Sequence, residues 1–511
     1  MFVRINSFGV LGIDCYKVDV EVDIATGHLP SFDIVGLPDA AVKESKDRVK
    51  AALKNSRLAY PAAKITVNLA PANIKKEGAV YDLPILIGIS AASGQIKADL
   101  SDLAFVGELS LGGDIRPVPG VLPMVLKAKE CGIRRFFVPK GNMIEASIVK
   151  GIEIIPVKNA RELTDFLIGS RDLSAAPEFI MPEKEALYPD FSDVKGQFAA
   201  KRGLEIAAAG AHNLLLLGPP GSGKSMMAKR LPGILPKMTF QEQLETTKIY
   251  SVCGMTSNED PLILNRPFRN PHHTISPAGL AGGGANPRPG ELSMAHRGVL
   301  FLDELPEFQK TAMEILRQPL ENQTITISRA VGSVTYPCSV MLIAAMNPCP
   351  CGYYGDPSGR CQCSDTAIAR YLSKISGPLL DRIDLHLEVS SVKYEDISNK
   401  VKSESSAAIR ARVEKAREIQ SERFKGLPIL TNSQIESGDM QRFCPLTPDA
   451  ERTLAIAFDR LGLSARGYDR IIKTARTIAD LSGDDTISDS HILESLSYRA
   501  LDRKYFRFSK I

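Results

Sequence analysis

The spacing of apolar and polar residues changes period several times along the chain, and each change marks an expected element. Residues 18–24, VDVEVDI, alternate strictly and predict a strand with one face in a core. Residues 40–53, AAVKESKDRVKAAL, place apolar side chains at helical spacing and predict an amphipathic helix. KITVNL at 64–69 reads as a strand. Residues 83–92 follow a turn at Gly78/Asp82 and are apolar on every side, which predicts a buried helix. The stretch 105–111 with Gly112-Gly113 predicts a hairpin. A short helix over 124–129 and strands at 135–138 and 154–157 complete an α+β domain over 1–170, with no phosphate loop of its own.

Periodicity fades over 171–190, where Pro, Ser and charge accumulate; this reads as a linker. Over 191–395 apolar strands alternate with helical stretches, the pattern of an α/β domain with a parallel sheet. A charge-rich helix over 395–424 and an all-helical run over 446–500 make 396–511 a helical C-terminal domain. Thr447 before Pro448, and Ser488 further on, are its expected helix caps.

The strongest local signal lies at 214–225, LLLLGPPGSGKS. A buried strand, a glycine loop and a helix start follow one another, the context of a GxxxxGK[ST] phosphate loop. Backbone N–H groups from Gly218, Pro219, Pro220, Gly221, Ser222 and Gly223 (the prolines excepted) would curl round a polyphosphate. Lys224 would reach the β/γ-phosphates of ATP and Ser225 would hold Mg²⁺. Two further apolar strands end in polar residues, which delivers those side chains to the ligand crevice of an open sheet. In VLFLDE, 299–304, Asp303 is the second expected Mg²⁺ ligand and Glu304 the group that activates water. In LIAAMN, 342–347, Asn347 is placed to touch the γ-phosphate or its water. Arg382, in SGPLLDRID, is a candidate arginine finger for a neighbouring subunit's site, with an ion pair to Asp381 or Asp384 as the bland alternative. Arg466 opens a C-terminal helix and could contact nucleotide, with Arg470 as its rival.

Taken in order, these residues resemble an AAA+ ATPase: Walker A, Walker B, a sensor asparagine, an arginine finger and a second sensor. NPHHTIS at 270–276, GELSMAH at 290–296, LDELPEF at 302–308 and NPCPCG at 347–352 resemble the YifB/ComM group of the magnesium-chelatase-like branch, over nearly the whole chain. The resemblance implies a P-loop core, a helical lid, a hexameric ring and a DNA motor of the kind that drives branch migration in natural transformation. It also implies an N-terminal domain similar to Lon proteases and ribosomal protein S5. The segment where Lon carries its nucleophilic serine reads GAVYDL here, 78–83, so no proteolysis is expected. The alternative reading keeps the ATPase and changes its cargo, to a chelatase-like or protein-remodelling complex.

Charge and cysteine content refine this. Lys+Arg 63 against Asp+Glu 59 leaves +4, so any grip on DNA must come from a local patch. Candidates are the Gly/Pro-rich stretch 268–297 with its flank, carrying Arg266, Arg269, His272, His273, Arg288 and Arg297, and an expected hairpin over 324–336 with Arg329 near its tip. Subunit packing is the competing use of both. No run of 18 apolar residues and no secretion leader are visible, so a cytoplasmic, reducing location is expected. There, four of the nine cysteines, Cys349, Cys351, Cys361 and Cys363, favour a metal over disulfides, and four thiolates suit tetrahedral Zn²⁺. Buried or free thiols are the alternative.

Overall fold

In a computed structural model, the structure describes residues 1–181, 187–284, 287–329, 332–356, 359–391 and 403–505. The chain forms two compact units. One comprises Met1–Lys184 with Phe240–Leu264; the other comprises Glu185–Thr239 with Asn265–Ile511.

The first unit is a mixed seven-stranded sheet with helices packed on it. Its strands are β1 (Phe2–Leu11), β2 (Asp14–Ala25), β3 (Ser31–Val35), β4 (Lys64–Ala70), β5 (Leu103–Phe105), β8 (Arg135–Pro139) and β9 (Glu153–Val157). Between β5 and β8 lies a small hairpin of β6 (Glu108–Leu109) and β7 (Ile115–Arg116). The sheet order is β3-β4-β2-β1-β5-β8-β9. The alternation at 18–24 does what it predicts: Val18, Val20, Val22 and Ile24 enter the core while Asp23 stays exposed. The helix Ala40–Asn55 is capped by Asp39 and buries Val42, Val49 and Leu53. The helix Asp82–Ala92 is buried along its whole length. Its first residue, Asp82, is held by Arg48 Nε at 2.7 Å, Leu109 N at 3.1 Å and the Ser45 hydroxyl. The helix Phe240–Val252 also packs here, its Ser251 hydroxyl on Glu145 and Gly120 N on Ser251 O.

The second unit is built on a parallel sheet of β11 (Phe268–Arg269), β14 (Val299–Leu302), β17 (Met341–Met346), β10 (Leu214–Leu217) and β18 (Leu385–Glu388), in that order. The three central strands have no exposed residue, which is why they read as continuous apolar runs. β10 has β17 on one side and β18 on the other, so the connections cross over and open a crevice at the strands' C-terminal ends. Two antiparallel ribbons belong to this unit: β12 (Gly282–Gly283) with β13 (Arg288–Pro289), and β15 (Thr324–Arg329) with β16 (Gly332–Pro337).

The long charged helix runs over Ser406–Arg423, beginning well after 395; residues 392–402 lie outside the described residues. Its charge is only partly solvated. Arg417 and Gln420 donate to the carbonyls of Ala208 and Ala209 that end the helix Phe198–Gly210, satisfying orphan groups there. Thr447 and Ser488 cap the helices Pro448–Leu461 and Asp489–Ser497.

Candidate functional site

The glycine loop leaves β10 and enters the helix Lys224–Ala228, with Gly221 and Gly223 at φ of 75° and 92°. That left-handed backbone is open to glycine at little cost and is what lets the loop curl. Lys224 folds back across it. Its ammonium donates to Gly218 O at 2.7 Å, Pro219 O at 2.9 Å and Asn347 Oδ1 at 3.1 Å, which uses all three donors. Burial pulls its pKa down to about 8, against the opposing pull of Asp303. Ser225 Oγ donates to Asp303 Oδ2 at 2.5 Å, and Asp303 Oδ1 accepts from Glu304 N at 3.0 Å. A hydroxyl and a carboxylate this close offer hard oxygen donors of the kind Mg²⁺ takes.

Glu304 sits at φ 53°, a conformation costly for a residue with a Cβ and often retained at functional positions. Its side chain is 58% exposed, and its carboxylate lies 3.4 Å from His273 Nδ1. His273 in turn packs against His272, the rings tilted by 33° with centroids 4.1 Å apart. Glu304 and Asn347 also line a cavity of about 480 Å³, together with Glu307, Pro350, Arg370, Tyr371 and Lys374. The structure thus brings Lys224, Ser225, Asp303, Glu304 and Asn347 to one crevice. His273, expected from the sequence as a candidate DNA contact, joins them at Glu304, and Arg370 and Lys374 join without any signal in the sequence that singles them out.

Arg382 and Arg466 meet somewhere else. Arg382 is buried and pairs with Glu321 at 2.6 Å, not with Asp381 or Asp384; it also donates to Pro378 O. Among the described residues its Nε has no hydrogen-bond partner. Arg466 is largely exposed and reaches the same carboxylate at 3.3 Å. Arg470 pairs instead with Asp384, 3.4 Å away.

The four clustered cysteines converge. Their sulfurs all lie within 4.8 Å of one another, with Cys349–Cys351, Cys349–Cys361 and Cys351–Cys361 at 3.3, 3.8 and 3.6 Å. These are not disulfide lengths, which are about 2.05 Å.

Of the cationic residues in the Gly/Pro-rich stretch, Arg269 is committed to both oxygens of Glu291, at 2.6 and 2.7 Å. Arg266 donates to Pro236 O and Arg297 O. Arg288 and Arg329 remain exposed. They lie on adjoining ribbons: Tyr336 of β16 donates to Pro287 O, and a Cβ on Gly283 would lie 3.2 Å from the Arg329 guanidinium.

A nucleotide-type crevice of this kind has close relatives. The model of the magnesium chelatase subunit ChlI matches residues 190–397, that of subunit ChlI of Mg-chelatase matches 20–142, and its C-terminal model matches 403–499. The chain is 43% identical to YifB of Escherichia coli, covering 99% of each chain, and 44% identical to the competence protein ComM of Haemophilus influenzae, covering 98% of each. A shorter likeness, 32% over 120 residues, is to Lon protease 2 of Bacillus subtilis, covering 23% of this chain and 21% of that one. The chain belongs to the YifB/ComM group of magnesium-chelatase-like AAA+ ATPases. Among its described residues no helix is long and apolar enough to cross a membrane.

Proposed function

We propose that this protein hydrolyses ATP at the subunit interfaces of a cytoplasmic homo-oligomeric ring, a hexamer, and uses the energy to move DNA, driving branch migration of recombination intermediates. The observation that carries the proposal is the crevice in which Lys224 bonds Asn347 and Ser225 bonds Asp303, in a chain similar from end to end to a competence protein. In this reading the loop Gly218–Ser225 cradles the phosphates, and Lys224 leaves its carbonyl partners for the β/γ-phosphates. Ser225 and Asp303 hold Mg²⁺, which neutralises phosphate charge. Glu304 takes the proton of the attacking water as the γ-phosphoryl leaves ADP, and Asn347 orients that water. Arg382 reaches the neighbour's γ-phosphate once released from Glu321. Arg466 acts from the C-terminal helices, which serve as the lid.

Arg288 and Arg329 grip the strand backbone from the paired ribbons. The N-terminal unit is a non-proteolytic, ring-building or DNA-facing module. Cys349, Cys351, Cys361 and Cys363 hold a structural Zn²⁺, because their separations suit a tetrahedron of thiolates. The deciding experiment measures ATPase rate without DNA, with single strands and with a branched junction. Stimulation, greatest with the junction, is expected. Indifference to all three would transfer the motor to a chelatase-like or protein-remodelling complex.

A further inference from the structure

Among its described residues the span 347–364 has no strand or helix, and its glycines Gly352, Gly355 and Gly359 all have positive φ. A chain of that composition loses much entropy on ordering and does not hold a fixed path unaided. Three parts of it nevertheless touch the nucleotide crevice. At its start, Asn347 accepts from Lys224. In its middle, Gly352, at φ 86°, lies so close to Pro220 of the phosphate loop that a Cβ would fall 2.4 Å from Pro220 Cδ. At its end, Ser364 caps the helix Asp365–Leu372, whose Arg370 and Tyr371 line the cavity beside Glu304. Between these contacts sit the four cysteines. A tetrahedron of thiolates at the usual Zn–S distance of about 2.3 Å has edges of about 3.8 Å. Three of its edges in the structure, 3.3, 3.8 and 3.6 Å, lie at or up to half an ångström below that value.

We propose that Zn²⁺ on Cys349, Cys351, Cys361 and Cys363 is a clamp on the ATP site: it fixes Asn347 and presses Gly352 against Pro220, so ATP affinity depends on metal occupancy. This rests on the zinc assignment above. Linkage makes the coupling reciprocal, so ATP must tighten the hold on zinc by the same factor as zinc tightens ATP.

The test uses the full-length protein. Zinc is counted by elemental mass spectrometry. A non-hydrolysable ATP analogue is then titrated into zinc-loaded, chelator-stripped and reloaded samples, and zinc release to a chromophoric chelator is timed with and without the analogue. One zinc per chain is expected. Stripping weakens analogue binding about tenfold, equivalent to about 1.4 kcal/mol; reloading restores it, and the analogue slows zinc release. Gly352→Ala covers the case in which stripped protein unfolds: zinc should stay bound while analogue affinity falls severalfold. Chains without zinc would overturn the zinc assignment, and the clamp with it. One zinc per chain, with analogue affinity unchanged by stripping or by Gly352→Ala, overturns the clamp alone.

Discussion

Lys224 shows how much of the site can be read residue by residue. Its place in GPPGSGKS gives its proposed role, and the two strand ends point to Asp303, Glu304 and Asn347, because a buried parallel strand delivers polar side chains at its C-terminal end. Its proton affinity could not be read that way, since it depends on how deeply the folded loop buries the ammonium. A pKa near 8, below the ordinary 10.5, means that at pH 9 the empty site holds mostly neutral lysine. Phosphate charge favours the cation, so ATP binding at pH 9 should take up close to one proton, whereas at pH 7 the lysine is already charged and uptake should vanish. Calorimetry in buffers of different ionisation enthalpy reads this directly; the absence of any buffer dependence at pH 9 would count against it. For Glu304, replacement by Gln keeps the shape and removes the proposed base. Nucleotide binding should persist while turnover falls by roughly 10²–10⁴-fold, the usual worth of a general base.

Elements were legible where one face is wet. The strand at 18–24 and the helix at 40–53 declare themselves by period, and Thr447-Pro448 marks a helix start that the structure keeps. β1 gave no such signal. Five consecutive buried residues erase its alternation, and two of them, Asn6 and Ser7, are polar yet satisfied by the carbonyls of Leu103 and Phe105. The helix Asp82–Ala92 depends on a partner that sequence does not name. Asp82→Ala would leave Arg48 without its main counter-charge, and a loss of about 3 kcal/mol in denaturant unfolding is expected. The ribbon β15–β16 has its tip residues 330–331 outside the described residues, yet Arg329 at its end is exposed. Arg329→Ala should lower DNA-stimulated hydrolysis more than basal hydrolysis and reduce the salt dependence of DNA binding by about one phosphate. Equal loss of both rates would remove the ribbon from the DNA path.

At the scale of the whole molecule, the pairing of Arg382 and Arg466 on Glu321 is the feature with the clearest consequence. In one chain both arginines are tied to a single carboxylate, so the proposed ring must draw Arg382 away to complete its neighbour's pocket. Arg382→Ala should therefore abolish turnover while leaving nucleotide binding intact. Mixed at equal amounts with Glu304→Gln, it should regain activity. Random mixing gives a pocket with an intact Glu304 facing an intact Arg382 at about a quarter of interfaces. Two inactive proteins that stay inactive together, though shown to co-assemble, would sink the trans-acting arginine.

The sequence by itself picked out the residues that the structure gathers at the glycine loop, the strand ends and the cysteine cluster, because glycine-loop conformation, strand-end geometry and thiolate clustering are local and leave fixed spacings. It also marked the amphipathic helix at 40–53 and the half-wet strand at 18–24 through their period. Tertiary structure alone decided which groups are brought together from afar. It set His273 beside Glu304, Glu321 between two arginines, and Gly352 against Pro220. It spent Arg269, a candidate DNA contact in the Gly/Pro-rich stretch, on Glu291. It also sent Phe240–Leu264, which follows the phosphate loop in the chain, into the first compact unit. Each of these turns on burial and pairing between distant segments, and no short stretch of sequence encodes its own partner.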